Sequence, residues 1–267
     1  MDKTSVIGII LGIIAIGVGM IMKGVDPTAL FNPAAMLIIF AGTAASILIA
    51  FPMSEIKHIP KLFKILFTDK KMTTVNELIP IFSEWATVAR KEGLLSLEAH
   101  ADDINDPFLK NGMKMVIDGQ TPEFIRDVMV EDLSAMEERH ESCAAIFTQA
   151  GTYAPTLGVL GAVVGLIAAL GNLNDIEALG HAIAAAFIAT LFGIFTGYVL
   201  WHPFANKLKR KSKQEVMVKQ VMVEGILSIQ DGASPRVIEE KLKIYIPASQ
   251  RNEEDAPGLR EGAEQNA

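Results

Sequence analysis

The sequence is short of the residues that most chemistry needs. Its 267 residues hold one cysteine, Cys143, which excludes an intramolecular disulfide framework and a cysteine-rich metal centre. Basic residues are in deficit too: 24 Lys and Arg stand against 31 Asp and Glu, a formal net charge of -7. A nucleic-acid binder needs a basic stripe, so that class is excluded. No P-loop, Gly-x-Ser-x-Gly or His-Glu-x-x-His motif occurs, and an ATP-driven pump is unsupported. We therefore expect no catalytic residue, no cofactor and no metal.

Charge is also missing locally. Half of the residues are apolar, and they gather in four stretches at roughly 4–22, 34–51, 153–171 and 180–201 that contain no Asp, Glu, Lys or Arg. A single soluble domain would interleave apolar and polar residues instead. A helix of about 19 residues rises about 28 Å, close to the hydrocarbon thickness of a bilayer. The apolar run Ser5–Met22 is longer than a signal-peptide core and no small-residue cleavage site follows, so it reads as a retained span. The fold expected is an all-α membrane protein with four transmembrane helices. A helical cytoplasmic domain would be built from the loop after span two and the C-terminal tail.

Lysines fix the orientation. Lys57, Lys61, Lys64, Lys70 and Lys71 follow span two, and Lys207, Lys209, Arg210, Lys211 and Lys213 follow span four. The short connections between spans one and two and between three and four carry only Lys23. By the positive-inside rule the long loop, the tail and both termini are cytoplasmic. The segments expected are 1–51 and 153–201 in the membrane, 52–152 and 202–248 as cytoplasmic helical parts, and 249–267 as a disordered tail.

The cytoplasmic parts carry clear punctuation. Thr74-Val75-Asn76-Glu77 is a capping box for a helix running to Gly93. Ser96 can cap a short helix, Asp106-Pro107 opens one that stops at Gly119, and Thr121-Pro122 starts another. No Gly or Pro then follows until Gly151, so span three is expected to continue as one long helix. Span four likewise runs on to Gly232, and Ser234-Pro235 caps a last helix ending before Pro247.

Few groups could act chemically. His140 and Cys143 lie three apart beside Glu138 and Glu141, a spacing that could suggest a metal or thiol site but fits a solvated helix face with a buried small residue. His58 and His100 read as surface residues, and His181 lies at a span end. Inside the spans the notable feature is small residues four apart: Gly8 and Gly12, Ala15 and Gly19, Gly161 and Gly165, then Ala185, Ala189, Gly193 and Gly197. Such faces let helices approach closely, either within one chain or between copies and around a foreign helix. Pro155 and Pro203 can each bend a helix. Thr190 can bond its own i−4 carbonyl or line a path. Proton relays through membranes use Asp, Glu or His, so a proton conductor built this way must borrow its titrating group from a partner.

The runs TYAPTLGVLGAVVGLIAALG and AFIATLFGIFTGYVLWHPFA resemble spans three and four of flagellar motor stator A subunits, the MotA/PomA family. MDKTSVIGIILG, ARKEGLLSLE and DGQTPEFIRDVM resemble it as well, and the likeness covers nearly the whole chain, closest to the bacillus-type members. The resemblance implies a proton channel formed with a B-type subunit that supplies the ion-binding Asp. It implies a pentameric ring of A subunits in the inner membrane, among membrane lipids, that turns ion flow into torque on a rotor switch protein. It places Arg90 and Glu98 at the rotor contact, and Pro155, Pro203, Thr190 and Tyr198 at the ion path and its coupling to movement. Sodium-driven members tend to carry Thr where this chain has Ala162, which implies protons. An energiser of outer-membrane transport of the ExbB/TolQ kind is the nearest alternative, but it has three spans. A passive membrane scaffold would leave Pro155, Thr190 and Pro203 without a role, and no nucleophile with a base lies inside a span for an intramembrane enzyme.

Overall fold

Each long helix begins where a side chain satisfies its first free N–H groups. The computed structural model describes residues 2–69, 73–102, 104–171 and 173–248, and every regular element among them is helical. Lys70, Lys71 and the segment 249–267 lie outside the described residues.

Asp2 caps α1 (Lys3–Met22), accepting from the Ser5 N–H. Asn32 caps α2 (Pro33–Ala50), with Pro33 in its first turn. A short helix, α3 (Ile59–Phe67), follows. The capping box at Thr74 is formed, and α4 (Val75–Glu92) ends at Gly93, whose φ of +86° suits glycine. Ser96 departs from expectation. Its hydroxyl donates to the Gly93 carbonyl at 2.6 Å inside a 3-10 turn, and the short helix α5 (Glu98–Asp102) starts two residues later. Then come α6 (Pro107–Ile117), α7 (Pro122–Leu170), α8 (Ile176–Gln230) and α9 (Pro235–Lys243).

The long α7 runs 49 residues without a break and holds Pro155 in its interior. Along α8 the residues Thr196–Trp201 form a π segment. Four of these helices, α1, α2, α7 and α8, are long and apolar enough to cross a membrane.

Two units share the chain. One comprises Met1–Lys70 and Arg139–Ser212, the other Lys71–Glu138 and Lys213–Ala267. In the first, α3 turns Leu62 and Leu66 inward and leaves Lys61 and Lys64 exposed. Its inner face meets Phe147 and Phe204, and the rings of Phe63 and Phe147 stand edge to face at 5.3 Å. Edge-to-face pairs add about 0.5–1.5 kcal/mol to simple burial. α1 buries none of its residues within the chain.

The second unit holds a larger core. Phe82 and Trp85 of α4, Met113 of α6, Ile125 and Met129 of α7 and Ile226 of α8 all lie in it. α9 closes it with Ile238 and Leu242, both fully buried against α4, and leaves Arg236 and Glu240 outside. Glu224 accepts from Lys241 at 2.6 Å and pairs with Arg126 at 3.8 Å, so α7, α8 and α9 are tied by charge as well.

Candidate functional site

The small residues of spans three and four bring the two backbones into contact. A Cβ on Gly193 would stand 2.7 Å from the Ala154 carbonyl oxygen and 2.8 Å from the Gly158 Cα. One on Gly165 would meet the Ala186 Cβ at 3.0 Å, and one on Gly161 the Ala189 Cβ at 3.0 Å. Without an aqueous hydrophobic effect between spans, such close approach supplies dispersion contact directly. Within this chain, the stripe on α8 is therefore used by α7.

α1 joins α8 through Gly12, where a Cβ would lie 2.8 Å from a Val199 methyl. Gly8, Gly17 and Gly19 face open space within the chain.

At the lower end of the same contact sits Pro155. A Cβ on Gly197 would lie 2.7 Å from the Pro155 Cγ, 2.9 Å from its Cδ and 2.8 Å from the Gly151 carbonyl oxygen. Proline has no N–H and cannot bond the carbonyl four residues back, so the carbonyl it leaves free, that of Gly151, lies over the same glycine. Opposite, α8 is wound as a π segment, and the His202 N–H donates five residues back to the Gly197 carbonyl. Single-turn π segments inside α-helices are frequent at functional sites.

The structure gathers some of the expected residues and separates others. Pro155 is half-buried in α7, opposite the π segment that contains Tyr198. Tyr198 is 64% exposed, its ring tilted against that of His202 at 5.4 Å. The Thr190 hydroxyl donates to the Ala186 carbonyl at 3.3 Å, the i−4 bond. Ala162 is half-buried and follows Gly161, which packs on Ala189. Pro203 is exposed and directly follows His202, where α8 resumes α-helical winding.

Arg90 and Glu98 lie in the other unit, both exposed. Arg90 stands in the last turn of α4 and Glu98 opens α5, so each has the sign its helix end favours. Among the described residues neither has an ion-pair partner.

A cluster at the N-terminus escaped the sequence reading. The Asp2 carboxylate accepts from Lys207 at 2.6 Å and pairs with Lys211 at 3.5 Å. Lys207 also donates to Thr4 and Ser5, and Lys211 to the carbonyls of Ile65 and Thr68. The hydrogen bond from Lys207 is the main cause that holds the Asp2 carboxyl well below the usual carboxylate range. The cluster ties the start of α1 to the end of α3 and to the extension of α8. Its sequence signal was an Asp at an N-cap with two lysines one turn apart, a pattern too common to single out.

No metal-holding group of His, Cys, Asp and Glu occurs among the described residues. His140 Nδ1 is 3.0 Å from the Ser212 hydroxyl, and burial pushes the Cys143 thiol up.

Residues 100–221 match the model described as the MotA/TolQ/ExbB proton channel family, and residues 6–93 match the one for the motility protein A N-terminal region. Motility protein A of Bacillus subtilis strain 168 is 64% identical over 251 residues, 94% of this chain and 93% of that protein. The flagellar MotAB stator complex from the same organism contains a chain 64% identical, with a TM-score of 0.90 over 94% of this chain and 99% of that one. A chain in the C. jejuni MotAB structure is 34% identical with a TM-score of 0.88, covering 93% of this chain and 97% of that one.

Proposed function

The chain belongs to the MotA/TolQ/ExbB proton channel family and is a stator subunit of the bacterial flagellar motor, and we propose that its partner is a B-type subunit threaded among its spans. It is a multi-pass protein of the inner membrane. The spans carry no carboxylate, so the ion-binding Asp comes from the B subunit, whose single span runs beside the faces this chain leaves open on α1 and at Tyr198. Several copies of the chain, five by the resemblance, surround the B subunits, with both termini in the cytoplasm.

The observation that carries the reading is the seat of Pro155 on Gly197, opposite the π segment of α8. There a helix with one missing backbone bond meets a helix with an altered one, and each can bend at that point. Ion passage shifts this contact. The extensions of α7 and α8 carry the shift to Arg90 and Glu98, which touch the rotor switch protein. One charge crossing 100 mV releases about 2.3 kcal/mol, so each sizeable step uses several protons. Exposed ion pairs are worth about 0–1 kcal/mol each, which suits a contact that forms and releases repeatedly.

The match of residues 6–93 to the motility protein A N-terminal model favours a stator over an energiser of outer-membrane transport. Co-isolation tests the partner directly. The chain expressed in membranes with a B-type subunit is expected to copurify with it in detergent, and recovery of the chain alone would contradict the assembly.

A further inference from the structure

His202 is a titratable side chain beside the contact of Pro155 with Gly197. It sits at the end of the π segment, one helical turn beyond Tyr198, and their rings are 5.4 Å apart. Gly151 of α7 makes room for it. A Cβ at 151 would fall 2.8 Å from each of Cγ, Cδ2 and Nδ1 of the imidazole. The ring therefore covers α7 one turn before Pro155.

Its neighbours in sequence do something different. Trp201 and Phe204 pack with Phe147 in the aromatic cluster of α3, with the Phe147 and Trp201 rings 6.1 Å apart. Position 202 holds a half-buried ring whose nitrogens have no hydrogen-bond partner among the described residues. On the α7 side the flanking Thr148 and Thr152 spend their hydroxyls on their own helix, at Ala144 and Thr148. The phenol of Tyr198 is the titratable group beside the ring on its own helix.

Imidazole is the side chain that gains and loses a proton most readily near neutral pH. We propose that His202 is the proton-accepting residue at the cytoplasmic end of the ion path. A proton arriving on water is transferred to an unbonded ring nitrogen, forming an N–H bond as an O–H bond breaks, and the imidazolium then returns it to cytoplasmic water. No oxidant or co-reactant is needed. Because the ring rests in the notch of Gly151, its change of charge occurs one turn from the contact of Pro155 with Gly197. The inference rests on the stator reading.

The experiment measures single-motor rotation speed in stator-deficient cells given the chain with its B partner. His202→Gln keeps the size and polarity of the side chain without a titrating group, and it is expected to slow rotation about tenfold while copurification with the partner is unchanged. His202→Ala opens the notch and is expected to be equally slow. Imidazole in the medium should then speed the Ala variant and leave the Gln variant, whose side chain still fills the space, unchanged. Full speed in the Gln variant overturns the inference, as does an assembled Ala variant that imidazole does not restore, which would make the role one of packing. Failure of the wild-type chain to restore rotation at all would overturn the stator reading itself.

Discussion

Gly197 of α8 lies against Pro155 of α7, so closely that a side chain at 197 would have to displace the proline ring, with Cγ 2.7 Å and Cδ 2.9 Å from the Cβ position. The neighbouring backbone is no more accommodating, because the Gly151 carbonyl oxygen is 2.8 Å from the same point. Gly197→Ala is expected to destabilise the complex by about 1–3 kcal/mol through overpacking and to impair swimming. Gly180→Ala is the matched control. It lies in the same helix with nothing within 4 Å, and it should be neutral or stabilising by up to about 1 kcal/mol. Thermal melts of the detergent-solubilised complex distinguish the two.

Arg90 is exposed and unpaired among the described residues, so its charge contributes little to the fold. Arg90→Glu reverses a charge that the end of α4 favours, so it should cost no more than about 1–2 kcal/mol and still impair swimming strongly. A large loss of stability would make Arg90 a structural residue and remove it from the rotor contact.

The Asp2 cluster has a defined pH dependence. The hydrogen bond from Lys207 depresses the Asp2 carboxyl in the folded protein. The resulting stability is present above the unfolded carboxylate value of about 3.9 and disappears only as pH falls below it. Asp2→Asn is therefore expected to lower stability by about 1 kcal/mol at pH 5–8. The difference from wild type should shrink in acid below pH 4. A difference that grew in acid would contradict the assignment.

Ala162 offers no oxygen to a sodium ion, but one hydroxyl is far short of a cation shell of six or more oxygens. Ala162→Thr is expected to leave swimming independent of sodium. Swimming speed measured against sodium concentration at fixed ionic strength checks this. Sodium-dependent swimming would show that the A chain alone sets the ion.

Much of the architecture was legible because bilayers impose a simple length and charge rule. The four apolar stretches became α1, α2 and the membrane parts of α7 and α8. The caps at Thr74, Asp106 and Ser234 are formed, since each is a local contact between a side chain and an N–H two or three residues on. α3 was passed over, although Leu62, Phe63, Leu66 and Phe67 recur at i, i+3 and i+4. The π segment of α8 was not legible, because nothing in the local sequence Thr196–Trp201 marks a change from α to π winding. Nor could the notch that Gly151 provides for His202 be read from two residues 51 positions apart. The small-residue stripes were visible as stripes, but only the packing says that α8 spends its stripe on α7 while α1 keeps three glycines open.

The most direct test of the central claim is swimming of motility-deficient cells supplied with this chain and its B partner, compared with the same cells carrying Pro155→Ala. The account predicts that the wild-type chain restores swimming without sodium. It also predicts that Pro155→Ala, though inserted and assembled, swims poorly, because the contact with Gly197 no longer couples ion passage to movement. Wild-type swimming with an equally fast Pro155→Ala variant would contradict the coupling. Assembly with the partner but no swimming in either would contradict the stator function.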